Sequence, residues 1–261
     1  VTAVSALHRT LAATALWAMA FGAVAAPRAA VVLQPAPPTR VTAAQLASLC
    51  AALATPCEPA ETKAYVARGQ GDGPMWLIDA SRPMLVVLDA ADPLRGNRAT
   101  LWDFSEQPHT QAPRADGGKA PPLEIHPALY PVGEHGFAIA LVSEVREMYS
   151  GGGASFRTAD FVALDAARTV AYGAVPFSCS KMVRACFSER DYARGHCHDE
   201  SSGGLTIRYP DGEGRWTFQW RETEWPAFAP KSRETTERTT FRVAPGNTKP
   251  PASVGFCGGP M

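Results

Sequence analysis

Two runs late in the chain, LTIRY and RWTFQW, limit what it can fold into. Leu205, Ile207 and Tyr209 alternate with Thr206 and Arg208. Trp216, Phe218 and Trp220 alternate with Thr217, Gln219 and Arg221. A period of two puts each apolar set on one face of a strand. The intervening PDGEG supplies turn residues, so the pair predicts an antiparallel hairpin with one buried face. The aromatic row is expected in a core rather than on a sugar-stacking platform. Trp225, beyond the alternation, is the better candidate for an exposed ring.

The same signal recurs upstream. YVARG, MWLIDA, PMLVVLDA and ATLWDF are short β-branched and aromatic runs between Gly and Pro clusters. LEIHPALY contains Pro127, which predicts an edge strand or a bend. FAIALVSEVREMY and ASFRTADFVAL, folded about Gly151 to Gly153, form a second hairpin. That folding places Phe137, Ile139 and Leu141 near Val162 and Leu164. Glu144, Arg146, Glu147 and Arg157 make the half nearest the turn polar, so the tip is expected to project into solvent. TTFRVA is a last strand. One helix is expected over 42–55, with Thr42 and Gln45 as a capping box and Pro56 and Pro59 ending it. There is neither an internal repeat nor regular strand–helix alternation. The expected fold is mainly β: an antiparallel sandwich or open barrel with one N-terminal helix, bonded by disulfides.

The first residues read as an export signal. His8 and Arg9 precede the apolar run Leu11 to Val24, and Ala23-Val24-Ala25 is an A-x-A cleavage site. The run is shorter than the ~20 residues a membrane span needs. Residues 1–25 are therefore expected as a signal peptide, with no transmembrane segment after its cleavage. Cleavage removes one of 25 basic residues (Arg9) and none of 25 acidic ones, leaving 24 against 25. That balance argues against nucleic acid and anionic membranes as partners. Abundant Ala and Arg over Lys suggest a GC-rich bacterial source, hence a periplasmic or secreted protein. A Pro-rich linker is expected over 26–41, then a single β-rich domain over 42–261 with a flexible tail at 245–261.

Six cysteines in an exported chain favour disulfides. The expected pairs are Cys50–Cys57, Cys186–Cys197 and Cys179–Cys257. The rival is Cys179–Cys186, which leaves Cys197 for the tail.

The densest chemistry is CFSERDYARGHCHDE, Cys186 to Glu200. In an extended segment His196 and His198 share a face and could share a metal with His126 or His135. There is no H-E-x-x-H or C-x-x-C, and an oxidised Cys197 is no thiolate ligand, so solvated histidines on a closed loop are expected. Ser188 to Asp191 is expected as a helical turn inside that loop. Ser178-Cys179-Ser180-Lys181 matches S-x-x-K, but it lies between strands with no K-T-G following. A G-x-S-x-G elbow and a phosphate loop are both missing, and GQGDGP and DAADPLRGN lack EF-hand spacing. Asp79, Asp103, Glu124, Glu144, Asp160, Glu222 and Glu224 could pair for glycoside hydrolysis only if the fold joins two of them across a cleft.

No cofactor is expected. The expected function is a non-enzymatic binding module for an unknown protein or small-molecule ligand of the cell envelope. Its contact surface is expected at the Ser105–Pro122 loop, the Gly151–Gly153 tip or the Cys186–Glu200 loop. The alternatives are a secreted hydrolase using His196 and His198 or paired carboxylates, and a structural envelope component.

Overall fold

The alternating runs become strands of one antiparallel sheet. A computed structural model describes residues 28–70, 72–89, 99–108, 122–133, 136–209, 215–242, 246 and 254–259. The expected signal peptide, the PDGEG turn, His135 and most of the Ser105–Pro122 loop and the C-terminal tail lie outside them. The strands are β1 (Val31–Pro35), β2 (Thr62–Ala67), β3 (Met75–Asp79), β4 (Met84–Leu88), β5 (Ala99–Asp103) and β6 (Leu123–Val132). They continue with β7 (Gly136–Tyr149), β8 (Gly152–Ala163), β9 (Val170–Arg184), β10 (His198–Arg208), β11 (Thr217–Trp225) and β12 (Thr235–Arg242). Two α-helices are described, α1 (Ala43–Ala52) and the short α2 (Glu189–Tyr192), with 3-10 turns at Lys231–Arg233 and Phe256–Gly258.

The sheet is open, in the order β12-β11-β10-β9-β8-β7-β6-β1-β2-β3-β4-β5. A sandwich of two separate sheets is not what forms, because β1 joins two meanders. Val31 and Val32 pair with Leu129 and Ala128, while Leu33 to Pro35 pair with Ala67 to Tyr65. The expected linker over 26–41 thus contributes a central strand. Pro127 marks a bend rather than an edge: the β6–β7 register shifts between His126 and Leu129, with β6 inside the sheet.

The two halves bury opposite faces. On β7, Ala138, Ala140 and Val142 enter a cluster with Phe161, Tyr172, Trp216 and Phe218. The alternate residues Ile139 and Leu141 enter a second cluster with Leu33, Leu85 and Phe104. Trp216 Nε1 donates to Pro131 O at 2.8 Å, which brings β11 over β6, five strands away in the order. This half of the sheet therefore curls upon itself. Trp216, Phe218 and Trp220 are each fully buried, so the aromatic row is core. At roughly 1.5–3 kcal/mol per large apolar side chain, such burial is the main stabilising term.

Helix α1 covers the outer face of β3 and β4. Leu49, Cys50 and Leu53 pack on Met75, Leu77, Met84 and Val86, and Cys50–Cys57 pins the helix exit. Thr42 and Gln45 form the capping box.

The β8–β9 register shifts three times, between Arg157 and Thr158, between Ala159 and Phe161, and between Phe161 and Val162. The buried Asp160 carboxylate accepts from Ala174 N at 2.6 Å, holding a residue with φ 48°. Phe156 and Phe161, five apart and so on opposite faces of β8, are both buried as a result. Phe161 meets Tyr172 and Trp216, while Phe156 meets Cys179 and Trp220. This corrects the expectation of a solvated hairpin tip: one face of it is core.

The described tail residues close that second core. Cys257 bonds to Cys179, and Phe256 lies between Phe156 and Trp220 with ring centroids 5.5 and 5.8 Å away. Phe256 (φ 48°) and Cys257 (φ 53°) are left-handed, at a cost of about 1–2 kcal/mol each. Glu222 offsets this by accepting from Cys257 N and Trp220 Nε1, both at 2.8 Å. Gly203 makes the approach possible, since a Cβ there would lie 2.3 Å from the Trp220 ring.

Candidate functional site

Register across four ladders builds a single row of side chains. Met148 pairs with Gly153, Gly153 with Met182, Met182 with Glu200, and Glu200 with Trp225. Partners opposite one another in a ladder project to the same face. Met148, Met182, Glu200 and Trp225 therefore share one face, over a floor of Gly153, Ser180, Ser202 and Thr223. They line a groove of about 610 Å³, with Glu234 at its far end. Two expected contact surfaces, the hairpin tip and the Cys186–Glu200 segment, meet here. The third, Ser105–Pro122, falls mostly outside the described residues.

The Cys186–Cys197 disulfide closes the loop beside this groove. The loop ends at Cys197, not Glu200, because His198 to Glu200 already pair with β9. Ser188 caps α2 in a reciprocal capping box with Asp191. That loop and the hairpin tip hold most of the exposed large apolar residues described. Met148 is 85 % exposed, Phe187 73 %, Tyr192 54 % and Met182 43 %; Val32 alone lies elsewhere. Arg184 stands between the two rings, 5.4 Å from Phe187 and 5.8 Å from Tyr192. Its guanidinium donates to Tyr192 Oη and Cys186 O, both at 2.6 Å, and no carboxylate pairs with it among the described residues.

His196 is not the solvated loop residue expected. Its side chain is only 11 % exposed, and its ring stacks on Trp225 with centroids 3.5 Å apart. Nε2 is buried without a hydrogen bond, and Glu200 Oε1 is 3.9 Å away. Trp225 is accordingly half-buried between His196 and Lys231, whose ammonium lies 4.2 Å from the ring centre. His198 lies 6.4 Å from His196, centroid to centroid. His126 sits apart, in a contact with Tyr130 and Phe177. Among the described residues no three His, Cys, Asp or Glu side chains converge as metal ligands.

The carboxylates scatter into structural roles. Asp79 accepts from Glu58 N and Ser81 N, and Asp103 from Ser105 N. Asp160 holds the β9 bend and Glu222 the tail. Glu124 and Glu144 do share a second cavity of about 700 Å³, with Lys63, Tyr65 and Arg146. Hydrogen bonds from Arg146 and Ser155 hold the Glu144 carboxyl below the usual range. A glycosidase acid needs the reverse shift. The S-x-x-K residues lie along β9, where Ser180 and Lys181 both border the groove and the Lys181 ammonium reaches towards Gly258.

The fold and groove define a disulfide-bonded, open-sheet antiparallel β protein. No family model, curated protein or solved structure matches the chain. No described helix is long and apolar enough to cross a membrane.

Proposed function

We propose that this is an exported, non-enzymatic binding protein that docks a partner protein through the hairpin tip and the Cys186–Cys197 loop. The observation that carries the reading is the exposure of Phe187 and Tyr192 on either side of Arg184, with Met148 and Met182 also exposed on the adjoining strands. Met, aromatic residues and Arg are the types enriched in protein interfaces. Exposed apolar patches on a stable domain mark interaction sites. Neither Arg184 nor the loop's Arg190 has an acidic partner among the described ion pairs, whereas Arg194 faces Asp191 and Phe228. The partner therefore presents apolar side chains flanked by carboxylates. Three disulfides support an oxidising compartment.

A random peptide display library, panned on the oxidised mature protein, tests this. Enriched peptides should combine apolar residues with Asp or Glu. They should lose binding to Phe187→Ser and to Arg184→Glu. Failure to enrich, or binding that both variants retain, overturns the reading.

A further inference from the structure

The docking surface leaves one feature unexplained: two exposed thioethers side by side. Met148 and Met182 flank Gly153 in register, on one face of the sheet. Gly153 has no side chain between them. The Met148 sulfur lies over it, 3.0 Å from where a Cβ would stand. Neighbouring strands are about 4.8 Å apart. Register thus sets Met148 and Met182 one strand to either side of Gly153 on the same face. Burying methionine is the ordinary use of the residue, as Met75 and Met84 show at 0 % and 1 % exposure. Leaving two of them exposed, on either side of a glycine, forgoes that stabilisation.

The rest of the row completes a donor set. Glu200 follows Met182 directly and carries a half-exposed carboxylate. Behind it, His196 Nε2 is buried and unpaired, 3.9 Å from Glu200 Oε1. A buried nitrogen without a partner calls for an explanation, such as an ion or an outer-shell contact to a ligating carboxylate. Thioether sulfur selects soft ions, Cu(I) above the hard divalent cations.

We infer that Met148 and Met182 bind a soft monovalent metal ion of the Cu(I) type, with Glu200 supplying the balancing charge. His196 is a positioning residue, donating to Glu200 when the ion is bound. The inference goes beyond the docking reading and does not depend on it, because leucine at 148 and 182 keeps the apolar surface and removes only sulfur.

Ag(I) is the probe, since it needs no reductant and leaves the disulfides oxidised. Native mass spectrometry of the mature protein in chloride-free buffer should show one Ag(I) per chain. Methyl spectra of the methionines should show Met148 and Met182 shifting while Met75 and Met84 stay in place. Met148→Leu and Met182→Leu should each weaken binding at least tenfold, and the double variant should abolish it. Glu200→Gln should weaken it with both methyl shifts retained. No Ag(I) binding by the wild type, or unchanged binding by the double leucine variant, overturns the inference. Peptide capture that survives in the leucine variants separates this failure from failure of the docking reading.

Discussion

The imidazole of His196 lies flat on the indole of Trp225, with ring centroids 3.5 Å apart and planes within 4°. The contact ties the disulfide loop to the end of β11. Around it, Phe228 N donates to His196 O at 2.7 Å, and Trp225 Nε1 donates to Ala229 O at 3.0 Å. The loop thus leans on the segment after β11, and that support presents Phe187 and Tyr192 outward.

Trp225→Ala should release the loop without unfolding the sheet, because Trp225 sits at the rim while Trp216 and Trp220 fill the core. Aromatic stacking alone is worth about 0.5–1.5 kcal/mol. Trypsin should cut the variant faster after Arg190 and Arg194. The cut chain should stay joined through Cys186–Cys197 until it is reduced. Equal cleavage rates in variant and wild type would show that the stack does not hold the loop.

Glu222→Ala should weaken the fold through the tail. It leaves the buried donors Cys257 N and Trp220 Nε1 without an acceptor, each costing about 1–3 kcal/mol. A loss of roughly 2–5 kcal/mol in urea unfolding is expected. Glu222→Gln keeps one acceptor oxygen and should lose less. An alanine variant as stable as wild type would mean the tail contributes nothing to the core.

The strands with an unbroken period of two were legible in the sequence. The pairing of Cys179, Cys186, Cys197 and Cys257 had a rival, but the Cys50–Cys57 disulfide and the α1 capping box were legible too, because each depends on close neighbours. Strand β9 was not. Its three register shifts against β8 move Tyr172, Val175 and Cys179 out of simple alternation, and Gly173 and Pro176 look like breakers. Strand β1 is short, ends in Pro35, and finds its partners about 30 and 95 residues away. The groove was hidden for the same reason. Met148, Met182, Glu200 and Trp225 become neighbours only through the register of four successive ladders. His196 looked solvated because nothing local announces that Trp225 will cover it.

The disulfides should rank by the chain they close. Their sequence separations are 7, 11 and 78 residues for Cys50–Cys57, Cys186–Cys197 and Cys179–Cys257. Loop-closure entropy gives about 2, about 3 and about 4–5 kcal/mol respectively. Replacing each pair by Ser should lower the chemical midpoint most for Cys179–Cys257. Its removal also frees the Phe256 plug. A larger loss from the Cys50–Cys57 variant would place the weak point at α1 instead.

His126 should set the acid side of the stability curve just below neutrality. Burial pushes its pKa below the ordinary value; Arg157 acts the same way and Glu124 partly opposes. Burial also keeps the Tyr130 phenol protonated, and its hydroxyl is hydrogen-bonded to His126 Nδ1 at 2.8 Å. In the unfolded chain the imidazole titrates near about pH 6.5. Between that value and the lower folded pKa, the unfolded state binds more protons. The stability from the neutral ring is therefore complete above about pH 6.5 and falls as the pH drops below it. His126→Phe should be less stable at pH 7.5, having lost the Tyr130 hydrogen bond, yet flatter through the window just below pH 6.5. NMR titration should place the His126 pKa under about 6.5. A ring that titrates higher, or two stability curves falling in parallel through that window, would show that the folded protein does not prefer the neutral imidazole.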